Sequence, residues 1–499
     1  MEQSIERNCG HGPTGGDIQW EAINWKETED HVRRMQERIF RATRDGNWKQ
    51  VKNLQLLLVG SLDARLVAVK RITQENKGKY TAGIDGKIYP DTKSREALVV
   101  EVRNVAVRHY RCQPVWRVYI PKPDKDEKRP LGIPTIKDRV MQMVVVLALE
   151  AEWEAKFEPN SYGFRLGRRT MDAVWQIWNT IKEVHGYNSS PWILDADIKK
   201  CFDNIDHEAL LARIPVFRDV TRRWLRAGAI EFEQYWPTKA GTPQGGVISP
   251  LLANIALDGM ECLFGAFNGK GNYVTPAARR RENKGVSLVR YADDFVNMAP
   301  SRESITKHVI PTLREFLGSR GLVLSDAKTR IVHRDEGLDF LGFNIRQFHG
   351  SRGPVCLVKP SKKSIQRHLK HVKMIVKTYR NVAQADLIQV LNPVLRGWAN
   401  YYRFCNAKEA FEYVDHRVWI MLWAWCKFRH RDKSCAWIRR KYFRRIGTCN
   451  WVFMDADDHQ LFYASYLKVG IRDYVKVVGR NSPFDATLRA YWIKRRKKT

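Results

Sequence analysis

The sequence is short of acids and has no paired cysteines. Lys and Arg number 86 against 54 Asp and Glu in 499 residues, a net charge of +32. So cationic a chain repels basic partners and calls for a polyanion, nucleic acid before a membrane surface. The nine cysteines include no Cys-x-x-Cys pair. Zinc-ribbon and knuckle spacings are thereby excluded, and reduced, mostly buried thiols are expected. His368 and His371, at i and i+3, stand among Lys370 and Lys373 and read as part of a solvated basic face. Long apolar runs are also missing. Met143–Leu149 is far too short to span a membrane, and polar Met1–Gly16 has no signal-peptide character. The expectation is a cytoplasmic protein with no membrane partner.

What is present divides into segments. Met1–Gly16 is glycine-rich, and residues 1–24 are expected to be disordered. Trp25–Gln74 has helical periodicity through Val32, Met35 and Ile39, then Val51, Leu54 and Leu58. Val115–Pro134 reads as a hairpin around the charged turn Pro123–Lys128. Lys137–Phe157 is a strong helix. Trp192 opens a strand with Ile193, Asp195 and Asp197 on one face and Leu194, Ala196 and Ile198 on the other. Val286–Met298 is a second hairpin and Leu338–Arg346 a further strand. From about Val355 to Phe443 the pattern is helical.

The second hairpin contains LVRYADDFVNM, Leu288–Met298, in which two adjacent aspartates interrupt an apolar strand. Unpaired charges in such a place are costly, and a bound cation offsets them. Neighbouring strand residues face opposite sides, so Asp293 and Asp294 serve one metal only if one of them lies on a tight turn. A third acid must come from an adjacent strand, and Asp197, in DADIKKCFDNIDH, is the best placed. Three carboxylates suit a pair of Mg²⁺ ions in in-line phosphoryl transfer, because hard cations take oxygen ligands and neutralise a triphosphate.

YADD (Tyr291–Asp294), DIKKCFDNIDH (Asp197–His207) and GTPQGGVISPLLANIAL (Gly241–Leu257) resemble the palm motifs of reverse transcriptases, most of all the group II intron-encoded family. RPLGIP (Arg129–Pro134) resembles the fingers motif, GLVLSDAKT (Gly321–Thr329) the palm turn with a late lysine, and FLGF (Phe340–Phe343) the primer grip. Leu391–Phe443 resembles the maturase, or X, domain. The resemblance implies an α+β right hand. Fingers and palm, with a mixed antiparallel palm sheet, would occupy 25–350, and an α-helical thumb 355–450. A basic DNA-binding segment would follow at 451–499, where the Cys/His spacing of an HNH-type endonuclease is not seen.

The same resemblance implies residue roles. Asp197, Asp293 and Asp294, with the main-chain carbonyl of Ile198, would hold two Mg²⁺ ions. Lys122 and Arg129 would meet the triphosphate of a dNTP, Gln244 would lie near the templating pair, and Gly245 and Gly246 would admit nucleic acid closely. Phe202 would exclude a 2′-hydroxyl, and Lys328 would protonate pyrophosphate. Arg396–Phe453 holds 15 aromatic residues, 13 Lys and Arg, and four acids. Trp419, Ile420 and Trp423 lie at core-like helical spacing, while Arg429, Arg431, Arg439, Arg440 and Lys441 suit an RNA phosphate surface. The implied activity is that of an RNA-directed DNA polymerase and maturase of a mobile intron. Its partners would be lariat intron RNA, target DNA and a primer, in a nucleoid-associated ribonucleoprotein of a bacterial cytoplasm, as monomer or dimer. The rival readings are a non-mobile reverse transcriptase of the defence or diversity-generating kind, against which Leu391–Phe443 speaks, and a splicing-only maturase, against which the intact aspartates speak.

Overall fold

The long helix α5 (Ile136–Lys156) is buried on almost every side, and the fold explains why. Helices α1 (Trp25–Arg44), α2 (Trp48–Gly60) and α3 (Leu62–Lys70) pack on it, and α4 (Thr92–Arg103) packs on α3. Val140, Met141, Val144, Val145, Leu147 and Ala148 are consequently all buried. Asn24, Asn47 and Thr135 cap α1, α2 and α5 by accepting backbone N–H groups. The computed structural model describes residues 18–121, 127–183, 190–265, 274, 285–351, 353–447, 449–471 and 474–498. Most of the N-terminal segment expected to be disordered lies outside these. Its last part does not: Trp20 is buried against Trp25, and its N–H donates to Glu96 at 2.8 Å.

The palm sheet has the order β6-β7-β3-β8, where β3 is Trp192–Ala196, β6 Ser287–Tyr291, β7 Asp294–Ala299 and β8 Arg330–His333. Its pairings are antiparallel. Leu194, Ala196, Leu288 and Phe295 face a core shared with the fingers helices and with α8 (His207–Leu211), α9 (Arg218–Leu225), α10 (Ser249–Leu257) and α11 (Ile310–Gly318). Ile193, Val289, Val296 and Met298 face a second core with α6 (Thr170–Ile181). Burial on both faces is why the central strands are largely apolar. The mixed pairing lies in the fingers. There β1 (Val115–Pro121) pairs antiparallel with β2 (Lys128–Ile133) and parallel with β4 (Ala229–Glu231), and β5 (Gln234–Trp236) closes the edge.

Two expectations about the following region are corrected. The single strand expected over Leu338–Arg346 is two, β9 (Leu338–Phe340) and β10 (Phe343–Gly350). The chain reverses at Leu341 and Gly342, with φ of 50° and 82°; the apolar alternation of FLGF hides that turn. Helical structure does not begin at Val355 either, because Gly353–Pro360 is β11, paired along β10. The thumb then consists of α12 (Lys362–Thr378), α13 (Gln384–Tyr402), α14 (Lys408–Arg429) and α15 (Cys435–Tyr442) around Leu387, Leu391, Val418, Leu422 and Trp425. It ends in the hairpin β12 (Phe443–Ile446) and β13 (Cys449–Phe453).

Three side-chain expectations also change. His368 is buried rather than solvated. It stacks on Trp398 with centroids 4.6 Å apart, and burial pushes its pKa down to about 4. Ile420 is exposed, whereas Trp419 and Trp423 stack at 5.7 Å under β12–β13. Of the described cysteines, all free, Cys201, Cys405 and Cys426 are buried, but Cys262 and Cys435 are exposed.

The C-terminal segment returns to the palm and fingers. Arg495 donates from Nη2 to both oxygens of Asp172 in α6 at 2.8 Å, with both side chains buried. The backbone N–H of Val477 donates to the same carboxylate. Arg489 pairs with Glu37 of α1 at 3.0 Å, and Arg44 with Asp485 at 2.9 Å. The expected nucleic-acid role of this basic tail therefore does not extend to Arg495. Among the described residues no helix is long and apolar enough to cross a membrane.

Candidate active site

Strands β6 and β7 are joined by a two-residue turn, since Tyr291 pairs with Asp294. Ala292 adopts a left-handed φ of 58°, so Asp293 sits on the turn and Asp294 begins β7. This is the geometry that lets adjacent aspartates share one side. Across the sheet Ala196 pairs with Phe295, and the next step of that register sets Asp197 beside Asp294. Beyond the strand end, Ser325 N–H donates to the Asp197 carbonyl and Lys199 N–H to the Val323 carbonyl, both at 2.9 Å. Neither bond uses the carbonyl of Ile198.

Charge crowding marks the cluster. Lost hydration, then the charge of Asp197, raises the pKa of Asp293. The same loss, followed by Asp293, Asp197 and Asp195, pushes Asp294 up to about 6. Asp294 nonetheless keeps an open face to solvent. Lys328 answers part of this charge by seating its ammonium on the Asp197 carboxylate, and that hydrogen bond raises the lysine pKa. Arg330 pairs with Asp195 at 2.7 Å. Arg129, exposed on β2, is near enough to oppose the rise at Asp293.

An all-oxygen donor set with an ammonium already on one member fits a hard divalent cation. The three carboxylates have not converged, however. Among the described residues, Asp455, Asp457 and His459 are the group whose ligand atoms lie within 4.8 Å of one another. The DADDH run was the available signal for that cluster. Its contacts are local: Asp455 accepts the N–H groups of Asp457 and His459 and faces His459 Nδ1 at 2.7 Å.

A cleft of about 370 Å³ lies between the fingers sheet and the palm, lined by Arg117, Phe202, Trp236 and Gln244 among others. Lys200 is left-handed, φ 47°, and turns the chain into the short helix α7 (Cys201–Asn204). Half-buried Phe202 thus packs on the core and also borders the cleft. The loop bearing Gln244 is tied to both neighbours: Thr242 N–H donates to the Phe202 carbonyl at 2.6 Å and Gly132 N–H to the Gln244 carbonyl at 2.7 Å. Gly245 has φ 120°, and a Cβ there would stand 2.6 Å from the Gly132 carbonyl oxygen. Protein backbone in β2 therefore already requires glycine at this position. At Gly246 a Cβ would crowd Ser249 Oγ at 2.8 Å. Lys122 lies outside the described residues.

The thumb cations separate into two kinds. Arg431, Arg439, Arg440 and Lys441 are exposed, with Arg439 over Trp451 and Lys441 over Trp437 at 4.8 and 4.9 Å. Arg429 differs, which corrects the expectation of a phosphate contact. Its Nη1 donates to the carbonyls of Arg380 and Val382 at 3.0 and 2.8 Å, tying the end of α14 to the α12–α13 loop.

Residues 120–345 match the family described as reverse transcriptase (RNA-dependent DNA polymerase), residues 20–102 the N-terminal domain of reverse transcriptase, and residues 365–443 the group II intron, maturase-specific domain. Protein YkfC of Escherichia coli is 32% identical over 318 residues, covering 59% of this chain and 83% of its own length. The chain belongs to the group II intron-encoded reverse transcriptase and maturase family. Within that family, LtrA of Lactococcus lactis, a group II intron-encoded protein, is 29% identical over 484 residues, 77% of this chain and 79% of its own. A protein in the cob intron of Schizosaccharomyces pombe is 26% identical over 429 residues, 72% and 52% of the two chains. A group II intron-encoded reverse transcriptase is an RNA-directed DNA polymerase that uses nucleotide substrates and divalent metal, and its maturase domain binds intron RNA. The α+β fingers and palm followed by a helical thumb are the fold of that enzyme.

Proposed function

We propose that this polymerase and maturase serves a mobile group II intron. It would promote splicing, remain with the excised lariat in a cytoplasmic ribonucleoprotein, and copy the intron from a primer at target DNA. Fingers and palm would span 25–350, the thumb 355–450, and residues 451–499 would add DNA contacts through their exposed cations. The observation that carries the catalytic reading is the strand register that brings Asp197, Asp293 and Asp294 to one end of the palm sheet.

Those three carboxylates, with the Ile198 carbonyl, would hold two Mg²⁺ ions. Bound there, the ions would activate the primer 3′-hydroxyl and neutralise the triphosphate. Arg129, with Lys122, orients that triphosphate from the fingers hairpin. Phe202 closes the space beside C2′ of the sugar, and Gln244 supports the templating pair from the cleft wall. Lys328 moves from Asp197 to the leaving pyrophosphate and donates its proton. Arg431, Arg439, Arg440 and Lys441 offer intron phosphates a cationic face.

Two assays on one variant test both activities. Asp293→Asn should lower primer extension on an RNA template by about 10²-fold or more. It should leave protein-dependent splicing of the cognate intron at low Mg²⁺ intact. Wild-type extension by the variant would remove the metal assignment. Absence of any protein-dependent splicing would remove the maturase reading.

A further inference from the structure

Arg290, three residues before Asp293, is fully buried, and its guanidinium is only partly satisfied. Nη1 donates to Asn254 Oδ1 at 2.9 Å and to the Ala292 carbonyl at 3.1 Å. Nε and Nη2 are buried without a hydrogen-bond partner among the described residues. Glu158 and Asp258 balance its charge. Orphaned N–H groups of this kind cost free energy, and strand β6 is otherwise apolar where it faces the cores. Stability alone therefore favours an apolar side chain here, and the bonds Arg290 does make need another reason.

Those bonds converge on the turn that carries the aspartates. Ala292 is left-handed, a conformation that strains a residue with a Cβ, and its carbonyl is what Arg290 grips. Asn254, on α10, accepts from Arg290 and donates through Nδ2 to the Gly163 carbonyl at 2.8 Å. Gly163 lies against the same turn so closely that a Cβ would overlap the Ala292 nitrogen. The segment before it is hydrogen-bonded along β6, with Tyr162 N–H to the Arg290 carbonyl and Arg290 N–H to the Asn160 carbonyl, both at 2.9 Å. The turn is thus clamped from below by Arg290 and from the side by Gly163, and Asn254 joins the two clamps. Asn254 also ties them to the helix that follows the Gln244 loop.

We propose that Arg290 is a positioning residue for polymerisation: its fork to Asn254 and to the Ala292 carbonyl holds the turn in the one conformation that presents Asp293 and Asp294 together. The proposal rests on the assignment of those aspartates as metal ligands. Arg290→Lys keeps the charge that Glu158 and Asp258 require but loses the fork. Mn²⁺ would be titrated into the full-length, metal-free protein and the free ion followed by electron paramagnetic resonance. Primer extension would be measured alongside.

Arg290→Lys should weaken Mn²⁺ binding about tenfold and lower kcat at least as much, in line with outer-shell changes elsewhere. The KM for dNTP should move little. Asn254→Ala should give the same two readings, and it decides the matter if Arg290→Lys does not fold. Adding Ala292→Gly, which relieves the left-handed strain, should restore part of the Mn²⁺ affinity to Arg290→Lys. Wild-type Mn²⁺ affinity in both variants, beside a weakened Asp293→Asn control, would overturn the positioning role alone. Wild-type affinity in Asp293→Asn would instead overturn the metal assignment beneath it.

Discussion

At the scale of single residues, function rests on a few side chains whose environment the fold has made unusual. Asp294 shows this through pH. Its folded pKa, about 6, lies above the ordinary carboxylate value. The folded state therefore keeps a proton that the unfolded chain has already lost, and the metal-free fold loses stability as pH rises through that interval. Asp294→Asn should abolish polymerisation yet raise the melting temperature of metal-free protein at pH 7.5. Near pH 4 it should change the melting temperature little. Thermal scans in a chelator at the two pH values check this, and a lower melting temperature at pH 7.5 would contradict it. Phe202 predicts a different selectivity. Phe202→Val should raise ribonucleotide relative to deoxynucleotide incorporation tenfold or more, about 1.4 kcal/mol per factor of ten. The ratio of kcat/KM for ATP and dATP measures it, and an unchanged ratio would leave Phe202 as a core residue. Asp197, Asp293 and Asp294 could be picked out from strand pattern and spacing, whereas the role expected of Phe202 came from the family resemblance alone. Arg290 and Asn254 stood in quoted motifs but carried no sign of their partnership, since nothing in a sequence shows which buried donor meets which carbonyl.

At the scale of elements, the hairpins were readable and the places where elements touch were not. Alternating apolar residues around a charged turn reveal β1–β2, and YADD reveals β6–β7. The β9–β10 reversal was missed because Leu341 takes a left-handed conformation that no composition rule favours. The loop at Gln244 to Gly246 was seen, but its protein neighbour in β2 was not. Gly245→Ala should therefore disturb the seam between fingers and palm directly. A φ of 120° and a Cβ 2.6 Å from the Gly132 carbonyl should cost on the order of 2 kcal/mol, measured by denaturant unfolding, together with a higher KM for dNTP. Gly397 in α13 supplies the contrast. A Cβ there meets nothing within 4 Å, so Gly397→Ala should gain up to about 1 kcal/mol of thumb stability from helix propensity. Equal destabilisation by both substitutions would mean that local flexibility, not the Gly132 contact, governs the loop.

At the scale of the whole molecule, the order of fingers, palm and helical thumb was expected from the resemblance that the ordered motifs carry. The path of the C-terminal segment was not. A run of lysines and arginines reads as a solvated tail, and only the folded chain reveals Arg495 against Asp172. Removing one member of a buried pair leaves the other uncompensated, so Arg495→Met should cost about 3–5 kcal/mol. It should also open residues 474–498 to limited proteolysis, whereas an equally resistant variant would show that packing of Trp492 and Phe484 suffices. The pair also constrains the order of assembly. Asp172 and Arg495 are 323 residues apart in the chain, and a contact so distant forms late because loop closure precedes its reward. During synthesis, α6 would leave the ribosome with an uncompensated carboxylate on its inner side and wait for a segment that lies beyond the thumb. The palm of a nascent chain is therefore open along that side until Arg495 itself has been made.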